Sequence, residues 1–141
     1  MLGVLFLMNG RKIIFIGLLV LFCNLLTGCQ YLIEITLTDK TALTPIFELK
    51  EQQPFFFDRA VNLREITVYK RIGNKLDYSN PVWMISSDGI KIKKVIYGVT
   101  PEGFSVQTPA RKLEPYTQYH ISARGWGSTG FLDFELEPGG T

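Results

Sequence analysis

Tyr31-Leu32-Ile33-Glu34-Ile35-Thr36-Leu37-Thr38 places Tyr31, Ile33, Ile35 and Leu37 on one parity and Glu34, Thr36 and Thr38 on the other. A two-residue period is that of a β-strand with one face buried, because successive side chains leave a strand on opposite sides. The same period returns along the chain. Ile66 and Val68 alternate with Glu65, Thr67 and Tyr69, and Ile90 and Ile92 with Lys91 and Lys93, the run continuing through Ile96 and Tyr97. Phe104 and Val106, then Tyr119, Ile121 and Ala123, then Leu132, Phe134 and Leu136 complete the set. Val82 to Ser86 is apolar on both parities, as a central strand is. No window after Cys29 sustains apolar residues at i, i+3, i+4 and i+7 over ten residues, so the expected class is all-β.

Turn signals separate these runs: Ile72-Gly73-Asn74, Ser79-Asn80-Pro81, Ser87-Asp88-Gly89, Thr100 to Gly103, and Gly125 to Gly130. About seven or eight short antiparallel strands imply a sandwich or barrel. No internal repeat, low-complexity tract or linker interrupts residues 29–141, which read as one domain. Leu113-Glu114-Pro115-Tyr116-Thr117-Gln118-Tyr119-His120-Ile121-Ser122-Ala123 resembles the Leu-x-Pro-x-Thr-x-Tyr-x-Val-x-Ala corner of fibronectin type III domains. The resemblance implies a small immunoglobulin/fibronectin III-like sandwich, with Leu113 plugging the core, Pro115 shaping the crossing and the Tyr119 hydroxyl bonded back to nearby backbone. The tryptophan expected early in such domains has no counterpart unless Trp83 serves.

The N-terminus speaks to compartment. Asn9-Gly10-Arg11-Lys12 is polar and positive, Ile13 to Leu26 is apolar apart from Gly17 and Asn24, and Leu26-Thr27-Gly28-Cys29 follows. That order is the order of a secretory signal peptide. The tetrad resembles the lipobox of bacterial lipoproteins, which implies a cleaved signal helix over 1–28 and a mature chain beginning at Cys29, carrying diacylglycerol and an N-acyl chain. Met1 to Met8 is apolar ahead of the positive charges, so translation from Met8 is the simpler start. An uncleaved transmembrane helix is the rival. Ile13 to Leu26 makes about 21 Å of helix against a hydrocarbon core of about 30 Å, and extension to Ile33 would bury Asn24, Thr27 and Gln30. Gln30, rather than aspartate, follows the lipobox cysteine, and by resemblance this implies an outer-membrane location facing the periplasm.

Arg11 and Lys12 are two of the 15 Lys/Arg, and none of the 13 Asp/Glu precedes Cys29, so the rest of the chain is electrically neutral. Nucleic-acid binding needs clustered positive charge, and that class is set aside. The chain's two cysteines, Cys23 and Cys29, go to the signal and to lipid. No disulfide, thiol nucleophile or Cys-based metal site is then expected, and no cofactor.

Candidate chemistry is sparse. The single histidine, His120, has opposite parity to Tyr119 and Ile121 and is expected on a solvent-facing strand position. Asp58, Asp77, Asp88 and Asp133 read as scattered surface carboxylates near turns, without calcium-loop spacing. No phosphate loop, nucleophile elbow or zinc signature occurs, which argues against an enzyme. Phe55-Phe56-Phe57 is expected to be core. Lys91, Lys93, Lys94, Arg111 and Lys112 are a basic patch or a plain solvated face. Arg124-Gly125-Trp126-Gly127-Ser128-Thr129-Gly130 is the candidate binding loop. Arg124 and Trp126 are of hot-spot type among small residues, and the alternative is that Trp126 folds back as a cap. The expected function is a non-enzymatic, membrane-anchored protein-binding module. Such chains resemble accessory lipoproteins of secretion machines and immunity lipoproteins that neutralise periplasmic toxins, so the expected partner is an envelope protein or a secreted toxin. The alternative is a carbohydrate or peptidoglycan binder using Trp83, Trp126 and tyrosines as stacking platforms.

Overall fold

A computed structural model describes residues 17–18, 31–40, 44–53 and 56–138, the side chains of residues 53–59 excepted. Cys29 and the lipobox lie outside the described residues, as does the proposed signal helix apart from Gly17 and Leu18, which are helical. Ten strands follow in order: β1 (Tyr31–Leu37), β2 (Ile46–Gln53), β3 (Phe56–Arg59), β4 (Val61–Ile72), β5 (Lys75–Leu76), β6 (Trp83–Ile92), β7 (Lys94–Ile96), β8 (Ser105–Thr108), β9 (Gln118–Gly125) and β10 (Ser128–Glu135). The all-β class follows directly from the two-residue period. Beyond the seven or eight strands expected, β3 and β5 pair with the strands next to them in sequence and β7 with distant β2, each too short to show a period.

Eight strands are hydrogen-bonded in the order β3-β2-β1-β10-β9-β4-β6-β8, with β5 on β4 and β7 on β2. The sheet curls so that its inner faces meet. Phe47 of β2 touches Phe134 of β10 edge-on at 5.1 Å, and Trp83 of β6 meets Tyr97 after β7 at 5.1 Å. The expectation of wholly antiparallel pairing is corrected at one point: β1 runs parallel to β10, with Tyr31 opposite Ser128 and Leu32 opposite Thr129. Beyond that short contact β1 continues with β2 alone, Ile33 opposite Glu51 through Leu37 opposite Phe47. Gly130 permits the divergence. A Cβ there would collide with the Ile33 carbonyl, so a bare backbone lets β1 cross.

The core takes the parity read from sequence. Ile33 and Ile35, Ile66 and Val68, Tyr119, Ile121 and Ala123, and Phe134 and Leu136 are buried. Val106 departs from it at 48% exposed, because β8 is the last strand in the order and little covers its side chains. Thr67 departs the other way: expected on the outward face, it is buried in β4 between β6 and β9, its hydroxyl donating to Glu65 at 3.1 Å. Ser87-Asp88-Gly89 is also corrected, being no chain reversal. It lies within β6, where the register slips: Leu63 faces Ile90 while Glu65 faces Ser86. Arg64 on β4 and Ser87 to Gly89 on β6 therefore step out of the ladder as a bulge. Ser87 Oγ stands in for the missing ladder bonds, donating to the Leu63 carbonyl at 2.7 Å and accepting from Gly89 N–H at 3.1 Å. The reversal expected over Gly125 to Gly130 is shorter than it reads. Trp126 and Gly127 alone turn, Gly127 at φ 69°, and Ser128 to Gly130 belong to β10.

Candidate functional site

Two surfaces lie at opposite ends of β9. At its C-terminal end, the Trp126 N–H donates to the Asn62 carbonyl at 3.3 Å and Tyr31 N–H donates to the Gly127 carbonyl at 3.0 Å. The hairpin tip is thus tied to the starts of β4 and β1. The bulge turns two groups towards it. The Trp126 indole N–H donates to the Asp88 carbonyl at 3.2 Å, and the Arg64 guanidinium lies over the ring, 4.1 Å from its centroid. A Cβ at Gly89 would strike the indole. Trp126 is therefore neither a free probe nor a buried cap. One edge is held, and 58% of the residue stays exposed. Arg124, the other candidate of this loop, is exposed, with Nε 4.0 Å from a Glu65 carboxylate oxygen.

At the other end, Leu113 is buried and the Tyr119 hydroxyl accepts the Glu114 N–H at 2.9 Å. Exposed Pro115 leads into Tyr116, whose φ of 57° places a non-glycine residue in the left-handed region. Tyr116 is 73% exposed, so no burial of its ring offsets the strain of about 1–2 kcal/mol. It lines a cleft with Arg71, Ile72, Asn74, Gln118 and Asp133, between the β4–β5 hairpin and the β9 corner. Ile72 is 62% exposed, and nearby Tyr78, packed edge-on against Tyr69 at 5.2 Å, is 68% exposed.

The cleft adjoins a charged cluster on the outer sheet face. Asp133 is corrected from a scattered surface carboxylate. It sits mid-strand in β10 directly opposite His120 of β9, with Nδ1 and Oδ1 2.7 Å apart. Arg71 Nη2 donates to both Asp133 oxygens at 3.0 Å. The His120 hydrogen bond first, and Arg71 after it, hold the Asp133 carboxyl below the ordinary carboxylate range, against a rise from partial burial. An ionised Asp133 requires the His120 proton on Nδ1. His120 faces outward as its parity predicts, yet its side chain is only 16% exposed, because Phe131 stacks on it at 5.7 Å. Phe131 is itself 69% exposed. The arrangement is a hydrogen-bonded triad of Arg71, Asp133 and His120 across three strands, with Phe131 over the imidazole.

Other candidates are dispersed. Trp83 is 1% exposed and cannot serve as a stacking platform. Arg111 is not grouped with Lys91, Lys93 and Lys94: its Nη2 donates to Asn80 Oδ1 at 2.6 Å and to the Pro81 carbonyl at 2.8 Å, at the opposite end of β6 from Lys91. Asp77 takes part in the turn after β5 through its backbone. Phe55 lies outside the described residues, and Phe56, Phe57 and Asp58 enter only as backbone of β3. Among the described residues no group of three or more His, Cys, Asp or Glu could hold a metal. Sequence reading passed over Arg71 and Phe131, and took Ile72 and Tyr116 only as parts of a turn and of the corner. Phe131 had a signal, an aromatic on the outward parity of β10, whereas the cleft needed the β4–β5 hairpin and the corner to be brought together. Compared with known proteins, the chain matches no family model, no curated protein and no solved structure.

Proposed function

We propose that the chain is a periplasmic lipoprotein anchored in the outer membrane through Cys29, and that its β domain is a non-enzymatic module that binds another protein. The reading of the anchor rests on the positive, apolar, small-residue order of residues 9–29. The observation that carries the binding role is Tyr116: a large aromatic held in a strained conformation and left 73% exposed, beside exposed Ile72 in one cleft. Strained residues persist where the surroundings hold them, as the Tyr116 N–H bond to the Leu136 carbonyl at 3.0 Å does, and they cluster at functional sites. Aromatic anchors beside Arg are the groups that dominate protein interfaces. An envelope assembly component and an immunity-type inhibitor of a periplasmic toxin both fit this surface.

The finer fold reading is an immunoglobulin/fibronectin III-like sandwich. It is supported by two antiparallel groups, β1-β2-β7 and β6-β4-β9-β10, joined by the short parallel β1–β10 contact, and by the Leu113–Tyr119 corner.

Palmitate labelling of wild type and Cys29→Ser, with membrane fractionation, tests the anchor. Label that persists in Cys29→Ser refutes it. Capture from envelope extract tests the cleft: Tyr116→Gly relieves the backbone strain and removes the ring, so the domain should hold its fold and lose its partner. Undiminished capture by Tyr116→Gly refutes the cleft as the contact.

A further inference from the structure

The proposed anchor and the Trp126 hairpin lie at the same end of the domain. Cys29 is two residues from Tyr31, and an extended chain spans at most about 3.3–3.6 Å per residue, so the lipidated residue lies within about 7 Å of the start of β1. Tyr31 is bonded to Gly127 at 3.0 Å and stands opposite Ser128. The Tyr116 cleft, by contrast, lies beyond the far end of β9, whose eight residues span about 26 Å at a strand's rise. We propose that the β9–β10 hairpin, through Trp126 and Arg64, seats in the headgroup layer of the bilayer that carries the anchor. This rests on the membrane-anchor reading above. It is indifferent to the form of the anchor, since an uncleaved Ile13–Leu26 segment would also enter the membrane just ahead of Tyr31.

The chemistry of the tip suits that occupant. An indole with its N–H already bonded, as Trp126 is to Asp88, presents an apolar ring to the interface without stranding a donor, and tryptophan concentrates at that depth. Leu32, 51% exposed in the second position of β1, adds apolar surface at the same end. The Arg64 guanidinium, stacked on the ring, offers donors in the geometry that phosphate oxygens accept. Two acidic residues accompany the two arginines, Glu65 beside Arg124 and Asp88 beside Trp126. The tip therefore carries no net charge from these four groups, and seating follows from apolar burial and phosphate hydrogen bonding more than from attraction to anionic lipid. A consequence is that the Ile72–Tyr116 cleft points away from the bilayer, open to a partner.

Trp83 and Trp126 are the chain's two tryptophans, and only Trp126 is exposed, so contact quenching by bromine acts on the tip while buried Trp83 supplies a constant background. The full-length chain, reconstituted into phosphatidylethanolamine/phosphatidylglycerol vesicles with bromines near the headgroup end of the acyl chains, should lose emission relative to unbrominated vesicles. Trp126→Phe should abolish that loss, and raised salt should leave it in place. Equal emission in both vesicles from protein that floats with them overturns the seating and leaves the anchor intact. Protein that does not float with the vesicles overturns the anchor and the seating together. A photocrosslinker at position 126 that captures an envelope protein and no lipid likewise overturns the seating and returns the tip to a protein contact.

Discussion

Gly130→Ala tests the contact that ties the hairpin to the start of β1. Two effects oppose each other. Alanine in a strand lowers the entropy of the unfolded chain and by itself stabilises by about 0.5–1 kcal/mol. The added Cβ, however, would collide with the Ile33 carbonyl. Overpacking costs about 1–3 kcal/mol where side chains can yield, and here the obstacle is main chain. Relief requires β1 to leave β10, which forfeits the pairing of Tyr31 with Ser128 and Leu32 with Thr129, at about 1 kcal/mol per hydrogen bond. The net expectation is a loss of about 2–3 kcal/mol, and with a urea dependence of about 1–3 kcal/mol per molar the midpoint falls by about 1 M. The assay is a urea titration in a Trp126→Phe background, where emission comes from Trp83, which is 1% exposed and reports the core. Gly127→Ala is the comparison: nothing lies within 4 Å of its Cβ, and only the left-handed φ of 69° penalises it, by about 1–2 kcal/mol. Equal midpoints for wild type and Gly130→Ala would refute the dependence of the β1–β10 crossing on an absent side chain.

Three further predictions address the polar groups. Asp133 has its carboxyl pKa depressed in the folded state, so its contribution is present above the unfolded value of about 4 and is lost as pH falls through the folded value; wild type should lose stability in acid more steeply than Asp133→Asn, as read by urea midpoints at neutral pH and near pH 3. Burial pushes the Tyr97 hydroxyl up to about 12, and it donates to the Arg111 carbonyl at 2.6 Å. Spectrophotometric titration should therefore show a late-ionising component that is absent in Tyr97→Phe, and that variant should lose about 1–2 kcal/mol by stranding the carbonyl. The Ser128 hydroxyl is buried without a hydrogen-bond partner, so Ser128→Ala should raise the thermal midpoint, by about 1 kcal/mol of stability; a lower midpoint would show that the hydroxyl is satisfied in solution.

Much of this architecture was legible along the chain, and the illegible part shares a cause. Alternation at Ile33/Ile35, Ile66/Val68 and Tyr119/Ile121 reports which face of a strand is buried, because parity is a local property of extended backbone. The bulge at Arg64 was hidden because Ser87-Asp88-Gly89 carries the composition of a turn, and only pairing with β4 decides between reversal and insertion. The glycines of the Gly125–Gly130 stretch read as a turn. One of them instead clears a path for β1, which requires knowing what lies across from it. Asp133 read as an isolated carboxylate until register set it against His120 and brought Arg71 to both its oxygens.

By itself, then, the sequence determined the β class, the inward and outward faces of the main strands, and the resemblance of residues 9–29 to a lipoprotein leader, all carried by neighbours in the chain. Which strand lies beside which was decided by the tertiary structure alone, and with it the cleft of Ile72 and Tyr116 and the placing of Trp126 next to Tyr31. Those features join residues dozens to about a hundred positions apart, and nothing in the local period of a strand encodes its partner.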